Sequence, residues 1–83
     1  MRNPHLESLQ GIVVIERQNL AALRALLAQY KEKLVTETLS RNDALRIHNN
    51  IIHTERQING EQYLLNKHEL ELRKLAKELG LAE

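Results

Sequence analysis

A seven-residue apolar repeat constrains this chain more than any other feature. It runs through Leu6, Val13, Leu20, Leu27 and Leu34, and then through Ala44, Ile51, Ile58, Leu65, Leu72 and Leu79. A period of seven keeps these side chains on one stripe of an α-helix, whereas a strand would need strict alternation. In the first half a companion series lies three residues on: Leu9, Glu16, Leu23, Tyr30 and Glu37. One seam is unbroken and the other is interrupted by carboxylates.

The repeat also bears on "IIHTERQINGEQYLL", residues 51–65, where Asn59-Gly60 is a strong turn signal inside an otherwise helical stretch. A loop there would insert residues and reset the register, yet the series passes from Ile58 to Leu65 without losing phase. A helix running through needs no coincidence, and Gly60 then costs only about 1 kcal/mol relative to Ala. The expected elements are helix 1 over about 4–36, a turn over about 37–40 and helix 2 over about 41–79. The alternative is a three-helix bundle broken at Asn59-Gly60.

The expected helix ends carry their own chemistry. Asn3 can cap free backbone N–H groups, and Pro4 fits the first helical position because the N–H it lacks would be unsatisfied there. Val35, Thr36 and Thr38 are stiff at χ1 and weaken a helix end. Ser40 and Asp43 form a capping-box variant that opens helix 2, with Leu39 and Ala44 spaced as a hydrophobic staple. At the far end Gly80 suits a left-handed C′ position. A connection this short makes the helices antiparallel neighbours. Folding about Ser40 pairs Leu34 with Ile47, Leu23 with Ile58 and Leu9 with Leu72, to within one turn, and sets Arg24 near Glu55 and Lys33 near Asp43.

The fold class read from these patterns is all-α, an antiparallel coiled-coil-like hairpin in one domain over residues 1–83. Composition agrees. With no Trp or Phe, two Tyr, three Gly and one Pro, aliphatic side chains must fill the interior and turn residues are too few for many strands. The expected core is Leu6, Val13, Leu20, Leu23, Leu27, Leu34, Ile47, Ile51, Ile58, Leu65, Leu72 and Leu75. Glu16, Thr54, Glu61 and His68 interrupt it.

Apolar residues also lie beside the seam, at Ile12, Ile15, Leu26, Ile52 and Leu64. A two-helix unit cannot enclose both sets, because each helix keeps an open side. These five are the expected protein-interaction residues. A homodimer completing a four-helix bundle is the favoured partner, and a helix of another protein is the next.

Other chemistry is weakly signalled. His48 and His53 are five residues apart and point away from each other on a helix, so with His5 and His68 they give no metal-ligand spacing. Glu16, Glu61 and His68 could meet across the hairpin as a polar cluster, but no nucleophile, oxyanion donor or phosphate cradle accompanies them. No cofactor is expected and the chain is read as a non-enzyme. Twelve Lys and Arg are interleaved with eleven Asp and Glu. The alternative nucleic-acid set is therefore diluted: Arg41, Arg46, Lys67, Arg73, Lys74 and Lys77 share their stretch with Glu69, Glu71 and Glu78. No cysteine is present and the longest apolar run is "IVVI" at 12–15, so a cytoplasmic protein without a membrane span is expected. In outline, a capped hairpin with a Leu-rich seam is similar to small bacterial export chaperones and assembly adaptors. The likeness is one of architecture and carries no site residue. An interaction module of that general kind (adaptor, small chaperone or structural subunit) is the functional expectation.

Overall fold

The computed structural model describes residues 3–81. Two helices account for nearly all of them: α1, Pro4–Thr36, and α2, Arg41–Glu78. They lie side by side in a hairpin measuring 60 × 21 × 15 Å, with no strand among the described residues. α2 alone, at 1.5 Å per residue, spans roughly the full length of the molecule.

Each end is closed by the residues that suit it. The Leu6 N–H donates to Asn3 Oδ1 at 3.0 Å, with Pro4 in the first turn and Glu7 near the positive end of the helix dipole. α1 stops after Thr36, whose hydroxyl donates back to the Glu32 carbonyl at 2.9 Å. Ser40 opens α2, its hydroxyl accepting from the Asp43 N–H at 3.2 Å. At the other end the Leu81 N–H donates to the Ala76 carbonyl and the Gly80 N–H to that of Lys77. Gly80 has φ +73°, so these two bonds complete a Schellman motif that needs a residue without a Cβ.

α2 is continuous through Asn59 and Gly60, which removes the three-helix alternative. A turn at Asn59-Gly60 would have broken the backbone bonds of a helix whose apolar stripe is intact on both sides. The stripe prevails because burial of several side chains outweighs the roughly 1 kcal/mol propensity deficit of one glycine.

Val13, Leu20 and Leu65 form the central cluster, with Ile58 and Leu72 packed against it, and Leu9 and Ile51 are buried as well. Leu6, Leu23, Leu27, Ile47 and Leu75 are half-buried. Leu34 departs from the core expectation: it is 38% exposed. It sits in the last turn of α1, where the chain leaves in extended conformation and no further turn covers it. Leu9, in the interrupted series, belongs to the core in its place.

The register lies about one turn from a fold about Ser40, at the edge of the tolerance expected from the sequence. Cross-helix pairs join Glu16 to His68, Arg17 to Glu69 and Arg24 to Gln62. Each α1 residue meets α2 about one turn farther along than such a fold would put it. Arg24 thus takes Gln62 rather than Glu55, and Lys33 and Asp43 form no ion pair among the described residues. The cause is the connection. Glu37 and Ser40 both have extended backbone (φ −101°, ψ 143° and φ −65°, ψ 160°), so the linker carries the first turns of α2 beyond the end of α1.

Candidate interaction surface

The two broad flanks of the hairpin differ, and the helix period explains how. Arg17 and Arg24 follow the core positions Val13 and Leu20 by four residues, just as Gln62 and Glu69 follow Ile58 and Leu65. Four residues advance a helix by about 40°, so all four side chains emerge on the same side of the seam. There Arg17 Nη2 donates to Glu69 Oε2 at 2.6 Å and Arg24 Nη2 to Gln62 Oε1 at 2.7 Å. Gln62 Nε2 in turn donates to Asn66 Oδ1 at 2.8 Å. A shallow depression lined by Arg17, Glu69, Leu72 and Arg73 lies on this polar flank.

The opposite flank belongs to residues that precede a core position by one, about 100° the other way. Ile12, Asn19 and Leu26 precede Val13, Leu20 and Leu27, and Leu64 precedes Leu65. Ile15 and Ala22, three residues after Ile12 and Asn19, continue the same flank one row farther out. Ile12 is 42% exposed, Leu64 41% and Ile15 57%. Four of the five expected interaction residues, Ile12, Ile15, Leu26 and Leu64, therefore share one face. Ile52 follows Ile51 by one residue and lies on the other flank, as do Val14 and Leu45, which follow Val13 and Ala44 and are 49% and 51% exposed. Ala22 is the member that the sequence pattern did not single out. Its signal is its place seven residues after Ile15, hidden because alanine is unremarkable in any helix.

Between the flanks, polar groups occupy the seam. Glu16 is 7% exposed and His68 Nδ1 lies 2.8 Å from Glu16 Oε1. The pair bridges α1 and α2 across the seam. Thr54 is 3% exposed, and no buried side-chain nitrogen or oxygen lacks a partner among the described residues. Glu61, the third member of the expected cluster, is half-buried and does not join the pair.

No family model, curated protein or solved structure matches this chain. Its function must be read from the surface itself.

The remaining chemistry is dispersed. His5, His48 and His53 are exposed, and among the described residues no three His, Asp or Glu side chains could hold a metal ion. Arg41, Arg46, Lys67, Arg73, Lys74 and Lys77 are all exposed on α2. Arg41 and Arg46 are separated from the other four by roughly 30 Å of helix, at 1.5 Å per residue. No described helix is long and apolar enough to cross a membrane.

Proposed function

We propose that the chain is a non-enzymatic protein-interaction module that works by helix-on-helix packing and self-association, its open apolar flank completing a larger helical bundle. The observation that carries this reading is surface area. The hairpin exposes 6551 Å², whereas a compact protein of 9.6 kDa exposes about 5,100 Å². The surplus, on the order of 1,400 Å², includes the exposed aliphatic side chains of Ile12, Ile15, Leu26 and Leu64 on one flank, and a grouping of that kind is what marks association surfaces. Among the described residues the hairpin buries only Leu9, Val13, Leu20, Ile51 and Leu65 of its apolar side chains, and none of them below 2% exposure. A second helical layer would close the open side, as in a four-helix bundle. An adaptor, small chaperone or structural subunit would use such a surface.

Light-scattering mass across a concentration series tests the reading. The native chain should run above its monomer mass, and Leu64→Glu or Ile12→Glu should return it to monomer while circular dichroism keeps its helical signal. A native chain that stays monomeric at every concentration, or a mass untouched by both substitutions, would refute it.

A further inference from the structure

We infer that the partner on the apolar flank is a second copy of this chain, laid antiparallel across a twofold axis that passes at the level of Asn19 and Leu64. This rests on the self-association reading above and specifies its geometry. The flank is laid out symmetrically about that level. Ile12 and Leu26 lie seven residues to either side of Asn19, and Ile15 and Ala22 lie four before and three after it. On α2, the Glu16–His68 and Arg17–Glu69 pairs set residues 65 and 67 level with Asn19, so Leu64 lies one to three residues from the same height, within one turn.

A twofold axis across the hairpin stacks α1 on α1 and α2 on α2. Ile12 then meets Leu26 of the second copy, and the large Ile15 meets the small Ala22. Leu64 packs on its own counterpart. Asn19 faces Asn19, and one primary amide can donate to and accept from its twin across the axis, as a lone Asn does when it sets register in a coiled coil. Gly60 fits the same scheme. A Cβ built on it would meet nothing within 4 Å, so nothing inside the hairpin calls for glycine at this helical position. Gly60 and Lys67 lie four residues before and three after Leu64, so the gap at Gly60 receives the aliphatic stem of Lys67 from the second copy.

The other twofold arrangement, with the axis along the hairpin, stacks α1 on α2. Ile12 would then sit on Glu71 and Leu26 on Gln57, burying polar groups against aliphatic ones without partners. The antiparallel arrangement sets Glu71 beside Gln57 and Glu78 beside Asn50, with no two carboxylates opposed. A face 60 Å long and 21 Å wide has room for the roughly 800 Å² per partner of a standard interface.

The chain has no cysteine, so engineered thiols report the geometry directly. Asn19→Cys should oxidise to a covalent dimer of doubled mass on a non-reducing gel. Ile12→Cys alone should not, because its two copies lie about 21 Å apart along the axis. Ile12→Cys with Leu26→Cys should restore the cross-link. A dimeric mass in solution with no cross-link at Asn19→Cys, or with efficient cross-linking of Ile12→Cys alone, would overturn the antiparallel arrangement and leave self-association standing. A native chain that is monomeric throughout would overturn both.

Discussion

Glu16 has an unusual position for a carboxylate: in the seam of a thin hairpin, 7% exposed, with His68 at 2.8 Å. A buried acceptor is tolerated only while its partner stays, since losing one side of such a bond leaves the other desolvated and unpaired. His68→Ala should therefore lower stability by roughly 1–3 kcal/mol, the cost of leaving a buried acceptor unsatisfied. Replacing both residues with Leu should recover most of that loss, because an apolar pair of similar volume needs no partner. Urea denaturation of the native chain and the two variants checks this. Equal midpoints for the native chain and His68→Ala would show that the contact contributes nothing. The same pair sets register: its geometry exists at one alignment of α1 on α2, whereas the aliphatic stripe alone would accept a slide of one heptad.

At the level of elements, the connection carries more consequence than its four residues suggest. Ser40 both caps α2 and holds extended backbone, so it fixes where α2 begins and hence which residues face each other. Ser40→Ala should cost about 1 kcal/mol, and Ser40→Gly only a few tenths, because glycine leaves the backbone amides open to water. For a chain of this size 1 kcal/mol corresponds to a Tm drop of roughly 4–8 °C, readable by thermal melting. Equal losses for the two variants would assign the effect to backbone freedom and not to the cap. α2 itself shows how a continuous apolar stripe overrides a local turn signal: nothing packs near Gly60 within the hairpin, so its place in a helix follows from the stripe on either side.

The whole molecule is a rod. Its radius of gyration is 18.3 Å, against about 12 Å for a compact domain of this length. Every residue of a two-helix layer is within reach of solvent or of a partner, so folding and association should be linked. Because a partner that binds only the folded form stabilises it by mass action, Tm should rise with protein concentration. Melting curves over a hundredfold concentration range test this, and superimposable curves would contradict it. Association through Ile12, Ile15, Leu26 and Leu64 should also persist at high salt, unlike phosphate binding by the Lys and Arg of α2, which would weaken steeply.

Two long helices, their caps and most of the core were legible from the sequence, because period and capping are local: Asn3, Ser40 and Gly80 act within a turn, and a seven-residue repeat needs no knowledge of the partner. The passage of α2 through Asn59-Gly60 was legible for the same reason. Register was legible only to about one turn, because the aliphatic stripe accepts more than one alignment and the exact one rests on the Glu16–His68 pair and on the backbone angles of Glu37 and Ser40. The division into flanks was legible within each helix, where Ile52 follows a stripe position and Leu64 precedes one, about 100° to either side. Which flank of α2 joins which flank of α1 is fixed where Arg17 finds Glu69 and Arg24 finds Gln62. Sequence by itself determined that the chain makes helices with more apolar surface than two of them can enclose. Tertiary structure decided which side of the hairpin that surface occupies, because facing is a property of two helices in a definite alignment and not of either one alone.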